Sequence, residues 1–195
     1  MNIMSIIKDI KEIKKLVKQE KENLENVTKD LKKDRIIGID LSKKCPGVCI
    51  YDIDTSNIEY LDSFKVSGSP TEFERDLEIL YWLLDIVTIY KPSKAIIESP
   101  YISKFTIPSS APLYKLHGLV NYFLFKYGIE VYNITPSSSR AHLKIKPNDK
   151  ATAFNYIKKT YPELVLTSYN KDNDKADALI LVLNHDNSKL TNYLS

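Results

Sequence analysis

The sequence predicts an α/β domain with a mixed five-stranded sheet flanked by helices, preceded by an N-terminal helical extension. After residue 35, short apolar runs bounded by turn residues alternate with longer segments of helical periodicity. Their order, three strands followed by alternating helices and strands, is typical of a mixed sheet covered by helices. Residues 3–31 instead repeat apolar side chains every three or four positions, without Gly or Pro.

The composition is that of a soluble globular protein, with 43% hydrophobic and 27% charged residues in a chain of 195. No apolar run approaches the roughly 20 residues needed to span a bilayer, and the lysine-rich N-terminus lacks a signal-peptide cleavage site. Cys45 and Cys49 have no neighbouring His, so we interpret them as reduced thiols of a strand. These features predict a cytoplasmic protein.

The net charge of +3 lies entirely in the first 35 residues, which hold ten Lys/Arg and seven Asp/Glu. The remaining residues hold 18 basic and 18 acidic side chains, so bulk charge does not indicate nucleic acid. Few glycines and many Lys, Asn and Ile suggest an AT-rich genome, and a short chain with an extension would suit a phage or virus.

The extension, residues 1–34, carries a heptad pattern that predicts a coiled coil over about four heptads. The pattern does not distinguish two strands from three, and it favours self-association. A single amphipathic helix docked on its own domain is the alternative. Only Glu20 interrupts the apolar series, which consists of Ile3, Ile6, Ile10, Ile13, Val17, Leu24, Val27 and Leu31.

The first half of the domain, which spans residues 35–186, predicts three strands and a helix. Tight connections between the strands indicate an antiparallel meander. Ser69 to Glu72 reads as a capping box with Pro at the first helical position, and the helix runs to about Tyr90. The predicted strands are Arg35–Leu41, Pro46–Asp52 and Ile58–Val66.

The second half predicts two further strands and four helices, followed by a tail at residues 187–195. Gly128 is expected to end the longest helix as a C-cap, and Asn148 to cap a later one. The strands are Lys94–Glu98 and Ile129–Ile134; the helices are Ser109–Tyr127, a short one from Thr135, one from Asn148 to about Thr160, and Asp174–His185.

Four acidic residues from distant segments are predicted to meet in one cleft. Asp40 and Glu98 end the first and fourth strands, and sites in open α/β sheets form beyond strand ends. Asp174 and Asp177 project from one face of the last helix. Each has an ordinary explanation by itself: Asp40 as a turn former, and the Asp174/Asp177 pair at an exposed helix start that favours negative charge.

Four carboxylates in one cleft would require divalent cations, and hard oxygen ligands favour Mg²⁺ or Mn²⁺ over zinc. Two ions about 3.5–4 Å apart would hold the attacking and leaving oxygens of a phosphoryl displacement. One would activate water and the other would stabilise the leaving 3′ oxygen. This chemistry fits phosphodiester hydrolysis.

The acidic motifs resemble those of the RuvC family of Holliday junction resolvases, within the ribonuclease H-like superfamily. The likeness covers residues 35 to about 186 and includes Gly38-Ile-Asp40, Ile97-Glu98 and Asp174-x-x-Asp177-Ala-Leu with His185 eight residues later. It implies that Asp40, Glu98, Asp174 and Asp177 bind two Mg²⁺ ions, for which Mn²⁺ substitutes. It also implies a homodimer that contacts through the 109–127 helix; Tyr114, His117 and Phe125 would supply that surface or belong to the core.

The resemblance also suggests DNA contacts. Tyr101 lies where the family carries an aromatic residue that stacks on bases, although an ordinary loop tyrosine is the alternative. Lys150 matches a basic residue near the scissile phosphate and is taken as catalytic. Eight Lys/Arg against four acids between residues 140 and 175 form either a DNA-binding strip or a solvated lysine face. The predicted DNA-contacting residues are Tyr101, Lys104, Arg140, Lys144, Lys146 and Lys150, and His185 is interpreted as buried or supporting a ligand rather than binding metal.

The sequence thus predicts a Mg²⁺-dependent, homodimeric endodeoxyribonuclease that resolves four-way junctions by paired symmetric nicks. The dimer contact would use the 109–127 helix, the coiled coil or both. One alternative is a ribonuclease H-like nuclease for flaps, branched DNA or RNA–DNA hybrids. The other is a catalytically silent DNA-binding module of the same fold.

Overall fold

A mixed sheet organises the chain in the computed structural model, which describes residues 30–68, 71–100, 107–145 and 150–192. The strands, in chain order, are β1 (Lys32–Asp40), β2 (Gly47–Asp52), β3 (Asn57–Ser63), β4 (Pro92–Glu98), β5 (Glu130–Ile134) and β6 (Thr191–Asn192). The helices are α1 (Glu72–Tyr90), α2 (Ile107–Lys126), α3 (Pro136–His142), α4 (Lys150–Thr160) and α5 (Tyr169–Val182).

The strand order is β3-β2-β1-β4-β5-β6, so β1 and β4 are adjacent and central. β1, β2 and β3 form the predicted antiparallel meander, while β1, β4 and β5 are parallel. The sequence predicted five strands, and this number is wrong. The sixth pairs antiparallel with β5 and falls within the predicted tail.

Two apolar cores lie on opposite faces of the sheet. Successive side chains of β1 point to opposite faces of the sheet. Ile36 packs with α4 and α5, whereas Ile37 and Ile39 pack with α1 and α2. All three isoleucines are fully buried, as expected for a central strand covered on both sides. Because Asp40 shares the parity of Ile36, its side chain is directed to the α5 face.

Helix α1 begins two residues later than the predicted capping box implies. Thr71 is the N-cap: its hydroxyl accepts a hydrogen bond from the backbone N–H of Glu74, and the Glu74 carboxylate accepts one from the Thr71 N–H. The sequence contains two overlapping boxes, Ser69…Glu72 and Thr71…Glu74; the second closes in the structure, and Ser69 lies outside the described residues. Gly128 has the left-handed φ of 68° expected of a C-cap.

Helix α5 begins at Tyr169, five residues before the predicted start. The acid of its first turn is therefore Asp172, whose carboxylate accepts hydrogen bonds from the Thr167 N–H and hydroxyl, both at 2.7 Å. Asp174 and Asp177 lie further along the helix, so stabilisation at an exposed helix start does not account for them. They project inward from an element that packs on β1 and β2.

Strand β1 starts at Lys32, three residues before its predicted start at Arg35. Residues 1–29 lie outside the described part of the chain, so the coiled coil stays a prediction. The same holds for the proposed Asn148 cap. None of the described helices is long and apolar enough to cross a membrane.

Candidate active site

Asp40 and Glu98 stand side by side at the carboxyl ends of the two central strands. In the parallel register of β1 and β4, Ile39 pairs with Ile97, so the two acids follow at the next position. Adjacent strands are about 4.8 Å apart, and both side chains share the parity that faces α5. The sheet thus brings together two carboxylates that are 58 residues apart in the sequence.

Two glycines allow α5 to approach this end of the sheet closely. A Cβ on Gly38 would lie 2.4 Å from the carbonyl oxygen of Ala178, and one on Gly47 would lie 2.1 Å from that of Asp174. Real side chains do not tolerate such distances, so any larger residue would push the helix away. The glycine two residues before Asp40 therefore helps to bring Asp174 and Asp177 to the strand acids.

The four acids interact electrostatically. Burial raises the pKa of Asp40 well above its ordinary value, and repulsion by Asp177, Glu98 and Asp174 raises it further. Burial likewise raises the pKa of Glu98, with Asp177 adding to the effect. The pKa of Asp174 is raised by burial first and by Asp177 as well. The fold thus brings these acids within electrostatic range of one another, and their role as metal ligands stays a prediction.

Two basic side chains face the same carboxylates. The Lys150 ammonium lies 3.4 Å from one oxygen of Asp177, and an Arg140 guanidinium nitrogen lies 3.8 Å from the other. Burial lowers the pKa of Lys150, but the charges of Asp177, Asp40 and Glu98 outweigh it, and the net pKa is raised. Lys150 is thus charged and lies beside Asp177, while its contact with the scissile phosphate stays a prediction.

Arg140 is 4% exposed, although the sequence grouped it with surface DNA contacts. Its helix, α3, is held against the end of α5 by the fully buried Asn184, whose amide donates to the carbonyl of Ser139 at 3.1 Å. This places the guanidinium behind Asp177, where it offsets the carboxylate charge and lowers the pKa of Glu98. A structural role at the acids fits this burial better than direct contact with DNA.

The donor set fits a divalent cation. Four hard carboxylates that repel one another and are partly removed from water are stabilised by a cation between them. In residues 30–68, 71–100, 107–145 and 150–192, no three acidic, Cys or His side chains already surround one point as a metal site would.

Other predicted residues are placed as follows. Lys144 is exposed, with a left-handed φ of 59°. His185 follows α5 and lies against Tyr51, with ring centroids 6.0 Å apart. Tyr51 pairs with Ile36, four residues or about 13 Å along β1 from Asp40, so His185 is not among the acids. Tyr101, Lys104 and Lys146 lie outside the described residues, and their DNA contacts stay predictions.

The sequence did not identify Cys45 as a neighbour of the site. Its thiol hydrogen-bonds with Asp174 and lowers the pKa of that carboxyl against the effect of burial. Cys45 precedes β2 instead of lying in a strand, whereas Cys49 is buried within β2, and both are free thiols. No pattern in the sequence links residue 45 to residue 174, because the contact arises from the packing of α5 on β2.

Comparison with known proteins identifies the fold. No protein-family profile and no curated protein sequence matches the chain. Among solved structures, Thermus thermophilus RuvC in complex with a Holliday junction substrate superimposes with a TM-score of 0.65 at 15% identity, covering 81% of this chain and 99% of that one. The chain has the RuvC fold.

Two further resolvases of this fold are similar. The yeast mitochondrial Holliday junction resolvase gives a TM-score of 0.52 at 14% identity, covering 83% of this chain and 82% of that one. Fowlpox virus resolvase with its substrate junction DNA gives 0.51 at 19% identity, covering 77% and 95%. The resemblance read from the acidic motifs is thereby confirmed at the level of the fold.

Proposed function

We propose that this protein is a metal-dependent endonuclease that resolves four-way DNA junctions. The observation that carries the proposal is the convergence of Asp40, Glu98, Asp174 and Asp177 on one face of a RuvC-fold sheet. These four carboxylates would hold two Mg²⁺ ions, and Mn²⁺ would substitute. Bound in this way, the cations would supply Lewis acidity for phosphodiester hydrolysis.

The residues of the chain have distinct parts in this proposal. The four carboxylates would bind the cations. Without cations, the charged carboxylates would repel one another, so their charged form would be unstable. Lys150, half exposed at the rim of the site, can reach both Asp177 and an incoming phosphate. Arg140 stays behind the carboxylates and offsets their charge. Exposed Lys144, Lys158 and Lys159 would contact the DNA backbone, where their contribution depends on salt.

Paired cutting requires two sites held at a fixed separation, which a two-fold dimer supplies. Helix α2 exposes a row of residues at spacings of four and three, among which Tyr122 is 62% and Phe125 48% exposed. His117, in contrast, is buried, and burial lowers its pKa to about 4. We propose that this row, not His117, forms the contact between subunits. The row consists of Ala111, Lys115, Gly118, Tyr122 and Phe125.

Each subunit would then cut one of two strands of like polarity, leaving 5′ phosphates and nicks that a ligase can seal. The test uses a mobile four-way junction with Mg²⁺, alongside a flap and an RNA–DNA hybrid. Preference for the junction, with nicks at symmetric positions, is expected. Faster cutting of the flap or hybrid would favour the wider ribonuclease H-like activity, and no cutting of any substrate would favour a silent binding module.

The Asp177→Asn variant tests the metal site directly. We expect its cleavage rate to fall about a thousand-fold or more, as when a group that stabilises transition-state charge is removed. Junction binding should be unchanged or tighter, because one negative charge facing the phosphates is lost. Asp85→Asn, the same substitution at an exposed position of α1, is the control and should cut normally. An Asp177→Asn or Asp40→Asn variant that cuts at the wild-type rate would contradict the assignment.

A further inference from the structure

An ion pair holds the loop that follows Asp40, and this pair lies on the face of the sheet opposite the four acids. This loop, residues 41–46, leaves β1 directly after Asp40 and returns at Gly47, the residue paired with Asp40 across the two strands. The conformation of the 41–46 loop therefore helps to determine the position of the end of β1. Sheet pairing holds the backbone of Asp40 on one side, and the loop holds it on the other.

Lys43, at the middle of this loop, reaches helix α1. Its ammonium nitrogen lies 2.5 Å from the carboxylate of Asp76 and 3.5 Å from that of Glu72. Asp76 is 3% exposed and sits one helical turn after Glu72 on the face that packs on the sheet. A carboxylate removed from water in this way needs its partner, because an unpaired buried charge is strongly unfavourable.

The rest of the loop is tied to the other elements of the site. The Ser42 hydroxyl accepts from the backbone N–H groups of Lys44 and Cys45 at 3.2 and 3.1 Å. Cys45 then reaches Asp174 on α5. The loop thus connects α1 on one face of the sheet with α5 on the other, and Asp40 lies at its start.

Among the described residues, no other charged side chain of the 41–46 loop has an ion-pair partner as buried as Asp76. Lys44, the neighbouring lysine, is exposed, and its carbonyl accepts from the Val66 N–H at 2.9 Å. Lys43 and Asp76 are 33 residues apart in sequence, and the pair spans two elements that the hydrophobic cores already hold together. A buried pair retained at such a position specifies geometry more than it adds stability.

We propose that Lys43 and Asp76 are positioning residues that hold the 41–46 loop so that Asp40 can share a cation with Glu98 and the α5 acids. This inference rests on the proposed nuclease function. Neither residue touches a cation or the DNA. Losing either one frees the loop, weakens cation binding and slows cleavage without reducing the affinity for junction DNA measured in EDTA.

The experiment compares Lys43→Met, Asp76→Asn and the double variant in the full-length protein, with Lys44→Met as the matched control in the same loop. Calorimetric titration with Mn²⁺ in the absence of DNA should show about tenfold weaker binding for each single variant, as for other groups that support metal ligands. The double variant should be no weaker than the worse single one, because both substitutions remove the same contact. Lys44→Met should bind Mn²⁺ as the wild type does.

Hydrogen exchange supplies a readout that is independent of metal and activity. Amides of residues 41–45 should exchange about tenfold faster in Lys43→Met and in Asp76→Asn, and Lys43→Arg should restore slow exchange. Wild-type exchange and Mn²⁺ affinity in the single variants would overturn the inference. If Lys43→Met does not fold, because it leaves the buried Asp76 unpaired, Asp76→Asn decides, since the Lys43 it leaves unpaired is 20% exposed.

Failure of the proposed function would look different. A wild-type protein that binds Mn²⁺ but cuts no DNA would refute the nuclease, while weaker Mn²⁺ binding by Lys43→Met would still support the positioning pair. Conversely, wild-type cleavage of junctions together with unaltered Mn²⁺ binding and exchange in the variants would retain the nuclease and remove the pair.

Discussion

At the scale of single residues, the site is a set of acids that the fold forces together without enough positive charge to neutralise them. Lys150 and Arg140 face Asp177, yet burial and mutual repulsion still raise the pKa values of Asp40, Glu98 and Asp174. A protein without a cation-dependent activity would gain stability by replacing any of these acids. Their joint presence is what links the arrangement to metal binding.

This imbalance gives a testable stability effect. The pKa of Asp40 is higher in the folded chain than its ordinary value of 3.8. At pH values between the ordinary pKa and the raised pKa of the folded state, the folded chain binds more protons than the unfolded chain. The free energy of unfolding therefore falls as pH rises through this range. Metal-free Asp40→Asn should therefore be more stable than the wild type at pH 7.

Thermal unfolding in EDTA at several pH values checks this effect. The advantage of Asp40→Asn should shrink as pH falls and vanish well below the ordinary pKa of 3.8, where Asp40 is protonated in both states. Addition of Mg²⁺ should stabilise the wild type more than the variant. Asp85→Asn, at an exposed site, should show no such pH-dependent gain. A wild type that is the more stable protein at neutral pH without metal would contradict the proposed repulsion.

At the scale of elements, the sequence predicts the type of nearly every described helix and strand but not every boundary. The start of α5 was misplaced because Tyr169-Asn-Lys-Asp-Asn has no apolar periodicity, and its N-cap Ser168 makes no side-chain capping bond. Strand β6 was missed because two residues carry no periodic signal; their pairing with β5 is a tertiary contact. The Lys43–Asp76 pair joins segments that no local pattern relates.

Gly38 provides a test of the packing between β1 and α5. A Cβ at this position would meet the Ala178 carbonyl oxygen at 2.4 Å and a methyl group of Val182 at 2.8 Å. Gly38→Ala should therefore destabilise the protein by about 1–3 kcal/mol, the usual range for overpacking a core. It should also weaken metal binding, because the helix that carries Asp174 and Asp177 has to move.

The matched control is Gly68→Ala, at an exposed position after β3. A Cβ on Gly68 has no atom within 4 Å, and replacing glycine by alanine at an unstrained position stabilises a protein by about 0.4–1 kcal/mol. Denaturant unfolding should thus show a loss for the first variant and no loss, or a small gain, for the second. Equal stability of Gly38→Ala and the wild type would mean that α5 does not pack on Gly38 as the structure shows.

At the scale of the whole molecule, the sequence could indicate the site because topology obeys simple rules. Two apolar runs that end in acids would share one cleft if the strands were adjacent and central, and the structure places β1 and β4 side by side and parallel. Neither the burial of Arg140 nor the exposure of Phe125 was predictable, because both depend on which helix faces pack on the sheet. Helix α2 carries aromatic residues both on its exposed face and on the face that packs on the sheet, so residue type does not distinguish the two faces.

That exposed row on α2 determines the last prediction, which concerns assembly. Tyr122→Glu places a charge on a side chain that is 62% exposed, so the folded subunit should be unaffected. If the row forms a two-fold contact, each dimer gains two charges at the interface, and light scattering should show a shift to monomer at micromolar concentration. The variant should then nick one junction strand at a time instead of cutting both strands together.

Deletion of residues 1–29 separates this contact from the predicted coiled coil, since the described domain begins after that segment. A deletion variant that stays dimeric while Tyr122→Glu is monomeric would assign the dimer to α2. The opposite result would assign it to the extension, and loss of the dimer in both would require the two contacts together. An unchanged mass in both variants would contradict either interface. Paired cutting would then need another source of two-fold symmetry, because one subunit holds a single set of four acids for two strands.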